Sequence, residues 1–257
     1  MTAKATHPRE VLLGAQAGAI VLPVCDHYSG VEARMKKSLA LQAELAEEFG
    51  ACVFDVTLDC EDGAPVGGEA DHAALVVELA LGAAPGMRVG VRVHPVEHPS
   101  FADDVAALVA RAGTRVAYLM LPKPRDVAEV QRGCAEIDHQ SRVHQLARPI
   151  PVHALVETHG ALRDVDAIAA HPRIESLSFG LMDFVSAHRG AIPAAGMSAE
   201  GQFTHPLVLR AKLEIAAACH AHAKTPSHSV VTEFNDARAI AAAASRAWRP
   251  RRSPAHR

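Results

Sequence analysis

The sequence has few aromatic residues, little net charge and no apolar run long enough to cross a membrane. Phe, Tyr and Trp make up 4% of the 257 residues, which argues against a surface that stacks nucleic-acid bases. The net charge of −3 gives no reason to expect nucleic acid or an anionic membrane as a partner. No apolar run approaches the roughly 18 to 20 residues of a membrane span. The first ten residues also lack the apolar core of a signal peptide, so we expect a cytoplasmic protein.

Paired cysteines and the common nucleotide- and zinc-binding motifs are also missing. The five cysteines are an odd number without a CxxC pair, which favours buried free thiols in a reducing compartment. No GxGxxG follows the first predicted strand, and no GxxxxGK[ST] occurs, which weakens dinucleotide and P-loop hypotheses. The sixteen histidines show no HExxH or zinc-finger spacing, so we interpret them as scattered side chains.

What the sequence does contain is a regular alternation of apolar strand patterns and amphipathic helix patterns. Predicted strands cover residues 19–25, 52–59, 87–93, 116–122, 151–158 and 174–183, with a seventh candidate at 224–231. Predicted helices cover residues 35–49, 69–81, 101–112, 160–171, 207–223 and 236–247, and another follows Asp126, which can act as its N-cap. Residues 26–30 and 184–201 are predicted to be loops.

This alternation predicts an α/β protein with a parallel sheet, either a barrel or a doubly wound sheet. The length suits one domain, which we place at residues 1–247. Residues 248–257 are predicted to form a basic tail that prolines interrupt. An eight-stranded barrel needs one more strand than the pattern supplies.

Two acids follow two consecutive predicted strands. Glu157 ends the run from Pro151, Asp183 ends the run from Ile174, and the residues between them have helical spacing. A strand–helix–strand unit normally puts both strands parallel in one sheet, about 4.8 Å apart where they are neighbours. Both carboxylates then lie at the same end of the sheet and can share one ion. The alternative is a pair of solvated acids that bind Lys or Arg.

Other charged residues also lie at predicted strand ends. Arg92 has apolar neighbours, and a buried arginine needs an anion, either a substrate carboxylate or an internal acid such as Glu61. Asp59, Glu61 and Asp62 cluster at the end of the second strand, where we expect Glu61 to support the site. Lys123 is interpreted as a salt-bridge residue, with a Schiff-base lysine as the alternative.

The motifs at these strand ends resemble the citrate lyase beta-subunit-like branch of the HpcH/HpaI aldolase family. The resemblance covers roughly residues 15–245. Its motifs, in the order of the family, are Leu58-Asp-Cys-Glu61-Asp62, Val91-Arg92-Val, Leu121-Pro-Lys123, Ala154-Leu-Val-Glu157-Thr and Ser178-Phe-Gly180-Leu-Met-Asp183. It implies a TIM (β/α)8-type barrel, here truncated before its last strand because the sequence becomes rich in Arg and Pro after about residue 247.

The resemblance also implies a function and a site. It predicts a lyase or aldolase that cleaves or forms a carbon–carbon bond in a small 2-oxo or hydroxy acid or its CoA thioester. Glu157 and Asp183 are the expected ligands of Mg²⁺, with Mn²⁺ as the alternative metal. Arg92 and Glu61 are the expected catalytic residues, and Arg92 with residues 180–182 (Gly180, Leu181, Met182) is expected to bind substrate. A homo-oligomer, with a trimer favoured, is the expected assembly.

Two other functions remain open from the sequence. The same site could hydrolyse an acyl-CoA as a thioesterase. The barrel could also bind metal without turnover, as a subunit of a larger complex.

Overall fold

The computed structural model describes residues 22, 26–233 and 235–248. Seven parallel strands form one sheet in the order β1-β2-β3-β4-β5-β6-β7, so each strand pairs with its neighbour in the chain. The strands are β1 (Asp26–Ser29), β2 (Asp55–Asp59), β3 (Val89–Arg92), β4 (Leu119–Leu121), β5 (Val152–Val156), β6 (Ile174–Phe179) and β7 (Thr225–Ser227). A doubly wound sheet reverses its strand order at a switch point, whereas a barrel keeps sequential order. The fold is therefore α/β of the TIM-barrel type.

Helices connect the strands. They are α1 (Glu32–Phe49), α2 (Glu69–Gly82), α3 (Phe101–Ala112), α4 (Val127–Val143), α5 (His159–Arg163), α6 (Val165–Ala170), α7 (Leu181–Ala187), α8 (Pro206–Ala221) and α9 (Ala237–Trp248). Two short 3-10 helices, Ala194–Met197 and Gly201–Phe203, lie between α7 and α8. As predicted, the Asp126 side chain caps α4 by accepting a hydrogen bond from the amide of Glu129.

The core has two parts because the strands are covered on both faces. The larger part, which includes Val56, Leu58 and Val91, packs the sheet against the helices. The smaller part fills the concave face with Tyr118, Met120 and Leu155. Polar side chains share this concave face. They bind one another: Thr57 contacts the Tyr118 hydroxyl at 2.6 Å, and His153 contacts Ser176 and Ser178 at 2.6 and 2.7 Å.

Most predicted elements are present, with three differences. The first predicted strand, 19–25, lies outside the described residues except for residue 22, and the predicted loop that follows it is in fact β1. The single helix predicted at 160–171 is two helices that meet at Asp164. The predicted loop after Asp183 contains most of α7 and the first 3-10 helix, and the second 3-10 helix begins at its last residue, Gly201.

The two edges of the sheet, β1 and β7, are not paired with each other within the part of the chain that the structure describes. Trp248 belongs to α9 rather than to the predicted tail, and the rest of that tail, residues 249–257, lies outside the described residues. None of the described helices is both long enough and apolar enough to cross a membrane. The four described cysteines are free thiols, and Cys60, Cys134 and Cys219 are buried.

Candidate functional site

A pocket lies where the C-terminal ends of the strands meet. Its volume is about 200 Å³, which is small for a ligand site. The residues that line it are Asp62, Arg92, Leu155, Glu157, Phe179, Gly180, Leu181, Met182, Asp183 and Val230. Of the residues predicted to form the site, only Glu61 is not among them.

Glu157 follows β5 and is held in a nearly closed environment. It is 2% exposed, and its Oε1 accepts a hydrogen bond of 2.8 Å from the backbone amide of Lys123. Gly180 lies on the neighbouring strand end, where its amide donates to the carbonyl of Val156. A Cβ atom at Gly180 would lie 2.1 Å from Oε2 of Glu157, so only glycine leaves room for this carboxyl group.

Asp183 is the second predicted metal ligand, and it lies close enough to Glu157 to affect its charge. Burial raises the pKa of Glu157 to about 8, and the negative charge of Asp183 contributes to this shift. Asp183 does not end a strand as predicted, because β6 ends at Phe179 and Asp183 lies in the first turn of α7. Its side chain is 43% exposed. The pair therefore combines a buried carboxyl group with an open one.

Arg92 is buried at the end of β3 and is already bound by acids. Its Nε and Nη2 donate to the two carboxylate oxygens of Asp59 at 2.7 and 2.6 Å, and its Nη1 lies 3.1 Å from Oε2 of Glu61. The Nε–Nη2 edge of the guanidinium group, one of the two edges that can bind a carboxylate in a bidentate way, is therefore occupied by Asp59. The internal ion pair with Glu61, which the sequence left open as an alternative, is present. Arg92 still lines the pocket.

Asp59 is the main partner of Arg92, a role that was not predicted from the sequence. Asp59 is 1% exposed, and it also accepts hydrogen bonds from the amides of Glu61 and Gly63, each 2.9 Å long. Asp59 and Arg92 are direct partners in the register of β2 and β3.

Lys123 links the acids of the site. Its Nζ lies 2.6 Å from Glu61, 2.8 Å from Asp62 and 3.8 Å from Asp183. Burial alone would lower the pKa of Lys123, but the hydrogen bonds to Asp62 and Glu61 raise it above the ordinary value. Since a Schiff-base lysine needs a readily deprotonated amine, this environment favours the predicted salt bridge over that chemistry.

The site carries more negative than positive groups, which favours a cation. Five carboxyl groups surround the two cations Arg92 and Lys123; the acids are Asp59, Glu61, Asp62, Glu157 and Asp183. The described residues contain no group of three or more His, Cys, Asp and Glu side chains that could hold a metal. In proteins Mg²⁺ is usually bound by one or two carboxylates, and water or substrate oxygens fill its remaining coordination positions. Glu157 and Asp183 fit such a site.

Four pocket residues were not predicted. Leu155 is two residues before Glu157 and so shares its side of β5, which alternation alone could have shown. Phe179 directly precedes Gly180, and Asp62 belongs to the acidic cluster. Val230 reaches the pocket from the segment after β7, and no sequence signal indicated it.

Comparison with known proteins gives the same family as the motifs. Residues 38–249 match the family described as HpcH/HpaI aldolase/citrate lyase. A crystal structure of a citrate lyase from Burkholderia xenovorans LB400 is 52% identical, with a TM-score of 0.81 over 89% of this chain and 70% of that chain. An L-malyl-CoA/beta-methylmalyl-CoA lyase from Cereibacter sphaeroides is 27% identical over 79% of this chain and 67% of that protein.

A third comparison supports the fold alone. The citrate lyase beta subunit from M. tuberculosis, whose structure contains oxaloacetate and magnesium, is 22% identical with a TM-score of 0.62 over 84% of this chain and 82% of that chain. The family match extends over more than half of the chain, and the named relatives are lyases. The chain therefore belongs to the HpcH/HpaI aldolase/citrate lyase family of enzymes.

Proposed function

We propose that this chain is a magnesium-dependent lyase that cleaves or forms a carbon–carbon bond in a small 2-oxo or hydroxy acid or its CoA thioester. The observation that carries the proposal is the buried carboxyl group of Glu157, which lies beside Asp183 on a pocket that Arg92 also lines. Burying the carboxyl group of Glu157 next to a second acid without a cation is unfavourable, and burial together with the charge of Asp183 raises the pKa of Glu157 to about 8. A divalent cation removes that conflict.

In this proposal Glu157 and Asp183 hold the cation. Bound Mg²⁺, or Mn²⁺, is a Lewis acid that stabilises negative charge on the oxygens of an oxo acid. Glu157 is fixed by the amide of Lys123 and by the absence of a side chain at Gly180, so it is preorganised for this role. Asp183 is exposed and can adjust as a ligand arrives.

Arg92 supplies positive charge to the substrate side of the pocket. Asp59 and Glu61 bind it from behind, and Lys123 in turn binds Glu61. In the proposal these acids fix the direction of the guanidinium group, and Arg92 attracts a substrate carboxylate. Glu61 then acts as a positioning residue, because it reaches the pocket only through Arg92 and Lys123.

The size of the pocket limits what it can contain. A volume of about 200 Å³ accommodates a small acid or the acyl end of a thioester, so any CoA moiety would extend outside. Gly180 and Leu181 form part of the wall, and Met182 is 53% exposed, so we place the carbon chain of the substrate against these three residues.

Calorimetric titration of Mg²⁺, with and without oxaloacetate, tests the proposal. We expect Mg²⁺ to bind more tightly when the oxo acid is present, because substrate oxygens complete the coordination shell. Glu157→Gln and Asp183→Asn should each abolish or strongly weaken this binding. Asp71→Asn is the matched control, since Asp71 lies exposed in the first turn of α2. Equal Mg²⁺ affinity in all four proteins would overturn the proposed site.

Product analysis separates the lyase from a thioesterase on the same site. A thioesterase releases free CoA and leaves the carbon skeleton of the acid intact, whereas a lyase splits the skeleton. Metal binding without turnover on any acid or thioester would instead favour a non-catalytic subunit. The homo-oligomer, with a trimer favoured, stays a prediction that the mass in solution would test.

A further inference from the structure

A second group of reactive side chains surrounds Lys212, which does not line the pocket. Lys212 lies on α8 and is half-buried. Its Nζ is 2.5 Å from Nε2 of His228 and 3.7 Å from the centre of the Phe203 ring. Within the described part of the chain, no Asp or Glu oxygen forms an ion pair with Lys212. This environment differs from that of Lys123, which binds three acids.

The hydrogen bonds of His228 determine which of its nitrogens carries the proton. Nδ1 lies 2.6 Å from the carbonyl oxygen of Ser229, which can only accept, so Nδ1 must be the donor. In the neutral ring Nε2 then carries a lone pair, and this lone pair faces Nζ of Lys212. The Phe203 ring stacks on the imidazole with centroids 5.2 Å apart and fixes its orientation.

These contacts form the arrangement of an activated nucleophile. An amine lies within hydrogen-bond distance of a base, and a third group orients that base. A cation, Arg246, also faces the Phe203 ring, with its guanidinium 5.6 Å from the ring centre. Glu214, an acid on the same helix, is bound to Arg210.

The electrostatics agree with this geometry. Burial lowers the pKa of Lys212 to about 7, although the face of Phe203 favours the ammonium form. Burial, with a smaller contribution from Lys212, lowers the pKa of His228 to about 4. Near neutral pH the imidazole is therefore uncharged, and a substantial share of the lysine is the free amine.

We propose that Lys212 is an acylation site, at which its amine reacts with acyl thioesters while His228 accepts the proton. The amine attacks the thioester carbonyl, a carbon–nitrogen bond forms, and the carbon–sulfur bond breaks. The electron pair of that bond leaves on sulfur as a thiolate. The proton passes from the amine to Nε2 of His228 and then to the thiolate, so the products are an amide and a free thiol. Lys212 does not line the pocket, so the inference does not depend on the proposed lyase activity.

The test is to measure the rate of acylation at individual lysines. The full chain is incubated with S-acetyl-N-acetylcysteamine, a small thioester that needs no CoA-binding site, between pH 6 and pH 9. Peptide mass spectrometry then gives the acetylated fraction of Lys212 and of Lys37, an exposed lysine on α1 that serves as internal reference. Lys212→Arg identifies the peptide signal that belongs to this site.

We expect Lys212 to be acetylated at least about tenfold faster than Lys37 at pH 7.5, with a rate that levels off above pH 8. An amine with the ordinary lysine pKa of about 10.4 would instead react faster with every unit up to pH 9. In His228→Gln the rate at Lys212 should fall at least about tenfold, because the amine loses the proton acceptor 2.5 Å away, while the rate at Lys37 should not change.

Two results would overturn the inference. One is a rate at Lys212 that does not exceed the rate at Lys37 across the pH range. The other is a folded His228→Gln protein in which Lys212 reacts as fast as in the parent. If His228→Gln does not fold, the pH profile of Lys212 in the parent decides alone, because a rate that keeps rising to pH 9 contradicts an activated amine.

Discussion

Gly180 gives a direct test of how the metal site is built. In Gly180→Ala the new Cβ atom would lie 2.1 Å from Oε2 and 2.5 Å from Cβ of Glu157. Real Cβ atoms do not approach other heavy atoms so closely, so either the end of β6 moves or the carboxyl group turns away. The second outcome breaks the contact between Glu157 and the amide of Lys123, which is 2.8 Å long. Both outcomes displace a proposed metal ligand.

The expected magnitude follows from the size of the clash. Forcing one extra methyl group into a packed site typically costs about 1 to 3 kcal/mol, and we expect the free energy of unfolding in urea to fall by that amount. The affinity for Mg²⁺ should fall further, by about 10- to 100-fold, because disturbing the groups that orient a metal ligand has effects of that size. Urea unfolding followed by circular dichroism measures the first effect, and calorimetry measures the second.

Gly82→Ala is the matched control, since a Cβ atom at Gly82, the last residue of α2, would meet no heavy atom within 4 Å. Alanine has the higher helix propensity, so this variant should be equally or slightly more stable and should bind Mg²⁺ normally. Our reasoning about the site would be wrong if Gly180→Ala bound Mg²⁺ with the affinity of the Gly82→Ala protein. It would also be wrong if the lost affinity came only from general unfolding, which the urea measurement would reveal.

Three further predictions concern buried ionisable groups. Asp59→Asn should lower the free energy of unfolding by about 3 kcal/mol in urea titrations, because it leaves the 5% exposed Arg92 without its bidentate partner; a change below about 1 kcal/mol would contradict this. The pKa of Glu157 is raised to about 8, so the metal-free protein must lose a proton to bind Mg²⁺, and calorimetry should show an affinity that rises about tenfold from pH 6 to pH 7; an affinity independent of pH would refute it. Burial lowers the pKa of His153 to about 4 from its unfolded value of about 6.5. Below pH 6.5 the unfolded chain therefore binds a proton at this residue and the folded chain does not. The free energy of unfolding consequently falls as the pH falls. In His153→Gln that loss is absent, so the stability of the parent relative to the variant should fall by about 2 to 3 kcal/mol between pH 7 and pH 4.5, and a constant difference would show that His153 is solvated.

The sequence predicted the fold well because its strands are buried on both faces. Runs such as 152–156 are almost wholly apolar, and the helices between them keep a helical apolar spacing that local residues determine. The prediction was wrong at residues 26–30, where Asp26–Ser29 is β1, since a polar Asp-His-Tyr-Ser stretch resembles a turn. It was also wrong after Asp183, because α7 is only seven residues long and has little periodicity to detect.

Six of the ten residues that line the candidate pocket were named from the sequence, but the pairing of the charged residues was not. Glu157 and Asp183 could be placed together because β5 and β6 are neighbours in a strand–helix–strand unit. The choice of partner for Arg92 depends on the register of β2 and β3, which puts Asp59 opposite it. Register depends on contacts between strands, and a single sequence does not state them.

The ion pairs divide the acids of the site into two groups, those that bind Arg92 and Lys123 and the Glu157–Asp183 pair. Asp59 and Glu61 are the acids nearest to Arg92, and Glu61 and Asp62 are nearest to Lys123, whose contact with Asp183 is longer at 3.8 Å. The two cations of the site are therefore paired mainly with these three acids. Glu157 is buried, and the negative charge of Asp183 makes ionisation of its carboxyl group less favourable. If Lys123 or Arg92 had instead been bound mainly to Glu157, its pKa would be low and an added cation would gain little. In the proposed function this arrangement leaves the Glu157–Asp183 pair for a cation from outside the chain, and Mg²⁺ should stabilise the fold most above pH 8, where Glu157 is ionised in the free protein.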